Sequence, residues 1–394
     1  MAKNIIFCAD GTWNGPGQGE EQEERGGDRT NVYKLFLNLG GALAEGTLRS
    51  ADEQERVLAG PDGRVAQIAK YLHGVGDSRN FLVRILGGGG GAGLVTRIVR
   101  GYTFISRNFE EGDRIFIAGF SRGAYTARAL AGLIAARGLL DPRRNDLETD
   151  RDQAYRLGSA EWFTYRREGL KTKPDLFHRL AEVVVDLPRF LSADATAPRI
   201  PVVTMEAVAV WDTVGSLGIP AYNLETDTQL DAFQFADLAL SQRVRRGLHG
   251  VSIDEQRANF TPTLWDADPR VTQVLFPGAH SDVGGGYADS ESGLSDCALQ
   301  WVTKELTGLG VVFAATPAVA LKPDACGRSH EPWADAPWNI LPRGAREIRA
   351  GLAVHRSVVD RLAGVGQLPT PYRPSNLPDY LDGAGIKSGV RIVD

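Results

Sequence analysis

Ser121 lies in the stretch of this 394-residue sequence that is best suited to covalent chemistry. Residues 119–123 read G-F-S-R-G and match the G-x-S-x-G pattern of a nucleophile elbow. An apolar run at residues 114–118 predicts a strand before this motif, and an alanine- and leucine-rich run at residues 124–136 predicts a helix after it. Between the strand and the helix the chain must turn very tightly, and the two glycines allow this turn, which lifts the serine out of the sheet. The sequence therefore predicts that Ser121 is a nucleophile.

A serine hydroxyl is a weak nucleophile at neutral pH, so Ser121 needs a base and a carboxylate that orients the base. Histidine is the usual base, and the chain has six histidines. His280 is the best candidate, because it follows a predicted strand at residues 271–276 and lies in a glycine-rich loop. Such a loop is expected to bring the imidazole to Ser121.

Asp212 is the first candidate for the orienting carboxylate. It follows a strongly apolar predicted strand at residues 202–210. It also lies between Ser121 and His280 in the chain, which is the order that a G-x-S-x-G nucleophile requires. The sequence therefore favours a Ser121, Asp212 and His280 triad.

Asp282 is a second candidate, but it lies only two residues from His280. Side chains at that spacing rarely face each other in a loop, and the alternative role of Asp282 is to accept hydrogen bonds from the backbone amides of residues 284–286. Asp10, at the end of the first predicted strand, is a third candidate. Asp10 and Asp282 are also candidates for contacts with the substrate.

The turn that contains Asp10, Gly11 and Thr12 follows the first predicted strand. We expect this turn to lie beside Ser121 and to donate one backbone N–H to an oxyanion hole. The backbone N–H of Arg122, at the start of the next helix, is the other expected donor, and the helix dipole there favours a developing negative charge.

Composition excludes several other classes of function. The net charge of -5, from 44 basic and 49 acidic residues, offers no general attraction to nucleic acid or to an anionic membrane. Three cysteines without a C-x-x-C pair, Cys8, Cys297 and Cys326, argue against a disulfide scaffold and against a zinc site. A reducing, cytoplasmic location fits this composition best.

The sequence shows no targeting or anchoring segment. The first residues lack the apolar region and cleavage site of a signal peptide, and no run approaches the roughly 20 apolar residues that span a bilayer. We therefore expect no integral membrane segment, and secretion would need a route without a signal peptide.

Alternating strand and helix patterns predict an α/β fold with a mostly parallel central sheet and helices on both faces. We expect one enlarged domain over residues 1–394, with a core at about 3–140 and 200–310, a helical insertion at about 141–200 and an irregular C-terminal wrap at about 311–394. Strands are predicted at residues 4–9, 65–72, 114–118, 202–210 and 271–276, and helices at residues 31–43, 94–109, 124–136, 233–248 and 294–306.

Five ordered motifs resemble one known family. The sequence is similar to the α/β-hydrolase domain family that includes the catalytic domain of type VI secretion phospholipase effectors, over about residues 3–305. The motifs are F-x-x-D-G-T-x-N at residues 7–14, G-F-S-R-G-A-Y-T-A-R at 119–128, W-D-T-V-G-S-L-G at 211–218, S-I-D-E-x-R at 252–257 and F-P-G-x-H-S-D-V-G-G-G-Y at 276–287.

The resemblance implies an α/β-hydrolase fold and a Ser-Asp-His hydrolase with Ser121, Asp212 and His280 at the matching positions. It also implies cleavage of acyl esters, which in the effectors come from phospholipids. Two departures concern the substrate: Asp77 stands where the family usually has threonine in G-V-G-T, and the effectors are larger, with extra modules that contact membranes.

The sequence thus predicts a serine hydrolase of carboxylic esters that needs no metal or organic cofactor. The substrate is either a lipid ester, as for a lipase or phospholipase, or a small soluble ester. One alternative is a metal-dependent phosphoesterase that uses Asp10, Asp212, His280 and Asp282. Another is a non-catalytic binding protein on the same fold. The sequence leaves the oligomeric state open.

Overall fold

The chain folds around one large β-sheet. The computed structural model describes residues 2–11, 28–44, 53–73, 91–171, 196–214, 238–335, 338–340, 342–364, 368–383 and 385–394. Its strands are β1 (Asn4–Ala9), β2 (Ala42–Leu43), β3 (Glu53–Ala59), β4 (Val65–Leu72), β5 (Arg114–Phe120), β6 (Leu139–Leu140), β7 (Arg199–Ile200), β8 (Met205–Trp211), β9 (Val244–Ser252), β10 (Val271–Phe276), β11 (Ala353–His355), β12 (Leu381–Asp382), β13 (Gly385–Ile386) and β14 (Ile392–Val393).

Ten of these strands form the sheet, in the order β14-β11-β10-β9-β8-β5-β1-β4-β3-β2. All neighbours from β14 to β4 pair in parallel, and only β3 and β2 are antiparallel to their neighbours. The carboxyl ends of the parallel strands therefore meet at one edge of the sheet, where open α/β sheets form their ligand crevice.

Helices cover both faces of the sheet. The α-helices are α1 (Asn31–Asn38), α2 (Gly91–Asn108), α3 (Arg122–Arg137), α4 (Pro142–Asn145), α5 (Arg151–Lys171), α6 (His280–Gly284), α7 (Gly293–Gly308) and α8 (Arg356–Ala363). On β1, Ile5 and Phe7 join the core beneath α2, α3 and α5, whereas Ile6 and Cys8 join the core beneath α1 and α7. A strand buried on both faces reads as a continuous apolar run, as β1 does. The predicted α/β fold is confirmed.

The apolar strands were predictable and the strand β9 was not. Predicted strands at Asn4–Ala9, Val65–Leu72 and Val271–Phe276 agree with the structure residue for residue. The predicted helix at residues 233–248 is wrong over its described part, because residues 244–248 begin β9, between β8 and β10. The apolar residues of this segment have the spacing of a helix. A central strand, however, pairs with a neighbour along both of its edges, and these contacts outweigh the local preference for a helix. Residues 233–237 lie outside the described residues.

Two further predictions need correction. The first helix, predicted to reach residue 43, ends at Asn38, because Leu39 is extended, with a ψ of 146°, and forms a bridge with Phe313. After Gly41, whose φ is 102°, the chain forms the edge strand β2. The C-terminal part, predicted to be irregular, contributes the strands β11 and β14, which extend the parallel sheet, and the helix α8. Strands of two or three residues are too short to show a period.

The predicted insertion at residues 141–200 is helical where it is described. The helix α5 has 21 residues and packs on α2 and α3, while residues 172–195 lie outside the described residues. Within the described ranges, none of the helices combines the length and the apolar character needed to cross a bilayer.

Candidate active site

Ser121 lies between β5 and α3 in a conformation that few residues adopt. Its backbone has a φ of 56° and a ψ of -123°. A Cβ on Gly119 would lie 2.3 Å from the carbonyl oxygen of Gly123, and a Cβ on Gly123 would lie 2.1 Å from the carbonyl oxygen of Ala9. Both positions therefore exclude any side chain, which is the physical reason for the two glycines of the motif.

The strand β8 brings Asp212 next to Ser121. The strands β5 and β8 are neighbours, with Phe120 opposite Trp211, and the N–H of Ser121 donates to the carbonyl oxygen of Trp211 at 3.1 Å. Asp212 has a φ of 37°, and Ser121, Asp212 and Asp146 are the non-glycine residues with positive φ in the described part of the chain. Such strained conformations cluster at functional sites, and two of these three residues lie side by side.

His280 contacts Asp212 directly. It begins α6, after β10, and its Nδ1 lies 2.5 Å from Oδ2 of Asp212. Asp212 is fully buried, and His280 is 4% exposed. The ring of Phe120, which precedes Ser121, lies 4.6 Å from the imidazole, centroid to centroid. The structure thus brings the predicted acid and the predicted base together beside the strand end that carries Ser121.

Arg346, from the C-terminal part of the chain, completes the contacts of Asp212. Its Nη1 donates to Oδ1 at 2.7 Å and its Nη2 donates to Oδ2 at 2.8 Å. Burial alone would raise the pKa of Asp212, but the guanidinium of Arg346 and the hydrogen bond with His280 hold this pKa far below its usual range. Asp212 is therefore a carboxylate at every physiological pH.

Burial lowers the pKa of His280, although Asp212 acts in the opposite direction. We therefore assign a neutral imidazole at neutral pH, with the proton on Nδ1, which donates to Asp212. In this tautomer Nε2 carries the lone pair, so it is the nitrogen that can accept a proton.

The turn after β1 also reaches this site. A Cβ on Gly11 would lie 3.4 Å from Cβ of Ser121, so the backbone of Gly11 passes beside the serine. Asp10 is fully buried and accepts hydrogen bonds from Tyr71 at 2.6 Å and from Thr30 at 2.7 Å. Burial raises the pKa of Asp10 to about 6. Its Oδ1 also accepts from the backbone N–H of Gly11 at 2.6 Å, so Asp10 holds the turn in place and engages the amide that was expected to face an oxyanion.

Arg122 and Thr12 are the two other residues expected in the oxyanion hole, and the structure describes only Arg122. Arg122 is the first residue of α3, so its N–H belongs to the first turn, where backbone N–H groups have no acceptor within their own helix. Thr12 lies outside the described residues.

Asp282 faces away from the imidazole of His280. Its Oδ2 accepts from the N–H of Ala279 and from the N–H of His330, both at 2.9 Å, and its Oδ1 lies 2.6 Å from Nδ1 of His330. It thus accepts from these two amides and not from those of residues 284–286, and it fixes the start of α6. Asp212 is the carboxylate in contact with His280.

Sequence reasoning missed several residues of the site. Within the motif at residues 252–257, the N–H of Ser252 donates to Oδ1 of Asp212 at 3.0 Å, and Glu255 accepts the backbone N–H of His280 at 3.2 Å. Arg257 holds Glu255 through two hydrogen bonds of 2.8 Å. The motif was visible but its role was not. Arg346 lies in a segment without any motif, so no pattern pointed to it.

The protein is an α/β protein with a mostly parallel sheet. A strained serine and a buried histidine–aspartate pair lie together at the carboxyl ends of its strands. Residues 3–305 match the family described as the type VI secretion system phospholipase effector Tle1-like catalytic domain. The match covers most of the chain, so the protein belongs to this family.

Similar proteins include one relative in yeast and two solved structures. The uncharacterized protein YEL023C of Saccharomyces cerevisiae is 27% identical over 288 residues, which are 69% of this chain and 34% of that protein. An uncharacterized protein from Pseudomonas aeruginosa is 19% identical, with a TM-score of 0.39 over 79% of this chain and 46% of that one. The Tle1 effector bound to the VgrG spike is 18% identical, with a TM-score of 0.35 over 73% of this chain and 51% of that one. The chain thus spans about a third to a half of the length of these proteins.

Proposed function

We propose that this protein is a serine hydrolase that cleaves the acyl esters of lipids, with Ser121 as nucleophile, His280 as general base and acid, and Asp212 as the carboxylate that orients His280. The contact of 2.5 Å between His280 and Asp212, buried at the strand end next to Ser121, carries this proposal. The phospholipase effector family to which the chain belongs supports a lipid ester as the substrate.

In the first half of the proposed reaction, Oγ of Ser121 attacks the ester carbonyl carbon and its proton passes to Nε2 of His280. The oxyanion of the tetrahedral intermediate accepts a hydrogen bond from the backbone N–H of Arg122. The N–H of Gly11, the other donor expected from the sequence, instead donates to Oδ1 of Asp10 at 2.6 Å. The intermediate collapses, the C–O bond breaks and the alcohol leaves with the proton from His280. Ser121 is then acylated.

In the second half, His280 takes a proton from water, and the hydroxide attacks the acyl carbon. The bond to Ser121 breaks, the proton returns to Oγ, and the fatty acid leaves. Asp212 stays ionised throughout and stabilises the imidazolium that forms twice in the cycle.

The proposal predicts that Ser121→Ala abolishes turnover. Hydrolysis of p-nitrophenyl esters of graded chain length, and release of fatty acid from phosphatidylcholine vesicles, are expected to fall by about 10⁴-fold or more. Labelling by a fluorophosphonate probe, which reacts with activated serines, is expected to disappear. The matched control is Ser159→Ala, because Ser159 donates to Tyr155 on the helix α5, away from the strand ends.

Turnover by Ser121→Ala at the wild-type rate would contradict the proposal. Turnover of soluble esters without any release of fatty acid from vesicles would instead redirect it to an esterase for small substrates.

The metal-dependent alternative finds less support. Its four residues are held in separate sets of hydrogen bonds: Asp10 with Tyr71, Asp282 with His330, and Asp212 with His280. Among the residues that the structure describes, no group of three or more histidine, cysteine, aspartate or glutamate side chains is placed to hold a metal ion. The predicted cytoplasmic location stays a prediction.

A further inference from the structure

The guanidinium of Arg346 lies against the carboxylate that the proposed mechanism needs. Its two terminal nitrogens contact the two oxygens of Asp212 in a parallel fork, at 2.7 and 2.8 Å. Such bidentate pairs fix the plane of a carboxylate as well as its position. With the N–H of Ser252 on Oδ1 and Nδ1 of His280 on Oδ2, both oxygens of Asp212 have two partners each.

Arg346 is itself held rigidly. Its side chain is 4% exposed, and Nη1 also donates to the carbonyl oxygen of Ser252 at 2.9 Å, while Nη2 donates to that of Phe260. The carbonyl oxygen of Arg346 accepts from Asn376 at 3.2 Å, and Asn376 also donates to Ile253 at 2.9 Å. The C-terminal part of the chain thus anchors the guanidinium to the loop that follows β9.

We propose that Arg346 is a positioning residue: it clamps the Asp212 carboxylate and balances its charge, and thereby keeps the Asp212–His280 pair free of an extra proton in the resting enzyme. This inference rests on the proposed function. Arg346 lies outside residues 3–305, over which the family matches, so a segment beyond the matched part of the chain completes the site.

The physical reason is a balance of charge in a buried place. Asp212 is fully buried, and a buried carboxylate beside only a neutral imidazole would attract a proton to the pair. A pair that holds this proton has its histidine as imidazolium, which cannot accept the proton of a serine. A cation that contacts both oxygens opposes the uptake of that proton.

Other charged groups around the pair do not supply this balance. Glu255 and Arg257 pair with each other through two hydrogen bonds, so together they are neutral. His249, whose Nε2 accepts from the N–H of Thr213, has a pKa lowered to about 3 by burial and is neutral. Arg128 donates to the carbonyl oxygen of Thr263 and stacks on Trp265. Arg346 is the cation in contact with Asp212.

The test replaces the cation and measures the titration of the pair. In Arg346→Met, we expect the acidic limb of the kcat/KM profile to move to higher pH by about one to three units, because removal of a cation strengthens proton binding. The same shift is expected in the NMR titration of the His280 side chain, assigned with His280→Gln. Arg349→Met is the matched control, since Arg349 contacts the carbonyl oxygen of Trp265 and not Asp212.

The NMR titration separates the two proposals. It reports on Arg346 even if Ser121→Ala retains activity and the hydrolase mechanism fails. A folded Arg346→Met protein in which His280 titrates at the wild-type pH overturns the inference. If Arg346→Met does not fold, Arg346→Lys replaces it, because lysine keeps the positive charge but cannot make two parallel hydrogen bonds. In Arg346→Lys we expect kcat to fall by about tenfold and the acidic limb of the kcat/KM profile to shift less than in Arg346→Met. A wild-type kcat in Arg346→Lys overturns the positioning role.

Discussion

In the described part of the chain, a histidine contacts an aspartate at one buried and one partly buried place, and the two contacts have different surroundings. Nδ1 of His280 lies 2.5 Å from Asp212, and Nδ1 of His330 lies 2.6 Å from Asp282. The first pair lies beside the strained Ser121. The second lies under Tyr287, whose ring stacks on His330 with centroids 3.5 Å apart.

The difference lies in the balance of charge. Asp212 faces Arg346, and burial lowers the pKa of His280. Burial also acts to lower the pKa of His330, but contacts with Asp282 and with Glu291, whose Oε2 lies 3.2 Å from Nε2, raise this pKa above its ordinary value. His330 has both ring nitrogens engaged by carboxylates, which favour its charged form more than water does, so it is suited to hold loops together. Under the proposed function, the same pair of residue types therefore serves as a base or as a structural clamp according to its neighbours.

We expect the largest difference between the two pairs when Asp212 and Asp282 are each replaced by asparagine and the loss of activity is compared. Asp212→Asn should lower kcat for ester hydrolysis by about 10⁴-fold, because an amide does not hold the imidazole in the required tautomer. It should also lower the free energy of unfolding by about 3 kcal/mol or more, since Arg346 loses its charged partner in a buried place.

Asp282→Asn is the matched variant. Its remaining carbonyl oxygen can still accept a hydrogen bond, so kcat should fall by about tenfold or less. Both variants are measured by ester hydrolysis and by urea unfolding. An equal loss of activity in the two variants would contradict the division of roles between the pairs.

A glycine links the first pair to the serine turn. A Cβ on Gly284, at the end of α6, would lie 1.9 Å from the ring of Phe120, which precedes Ser121. Gly284→Ala should therefore push the elbow and the His280 helix apart and lower kcat by about 10²-fold, because displacements of about 1 Å have such effects. Gly344→Ala, where a Cβ would meet no atom within 4 Å, should leave kcat unchanged. Wild-type kcat in Gly284→Ala would show that this packing does not position the site.

The sequence reveals much of this arrangement because its features are local. The strand β1 is a continuous apolar run, and the serine turn needs glycines at two fixed positions, so both leave a pattern in neighbouring residues. The contact between Asp212 and His280 joins residues 68 positions apart. The sequence favoured Asp212 over Asp282 through the chain order of a G-x-S-x-G serine, the apolar strand before Asp212 and the short spacing between Asp282 and His280.

Other features depend on distant partners and leave no such pattern. Arg346 lies 134 positions from Asp212, and a single arginine in an irregular segment carries no period or motif. The strand β9 reads as a helix because its strand state depends on pairing with β8 and β10. The role of Asp282 depends on His330, which follows 48 positions later. Residues of this kind become visible only when the chain is folded.

The smallest predicted effect concerns the second pair and its pH dependence. The pKa of His330 is higher in the folded protein than in the unfolded chain, so its contribution to stability is fully present below about pH 6.5 and is lost as the pH rises through the folded pKa. His330→Gln should therefore destabilise the protein by roughly 1–2 kcal/mol at about pH 5.5 and by less at about pH 8.5, as measured by urea unfolding.

His355 is a control of opposite sign. Burial lowers its pKa to about 4, so its contribution is present above about pH 6.5 and is lost as the pH falls towards 4. The loss of stability in His355→Gln should thus shrink at acidic pH, whereas that in His330→Gln should grow. If the two variants followed the same pH trend, Asp282 and Glu291 would not stabilise the imidazolium of His330. Charge balance would then no longer separate the proposed base from the structural clamp.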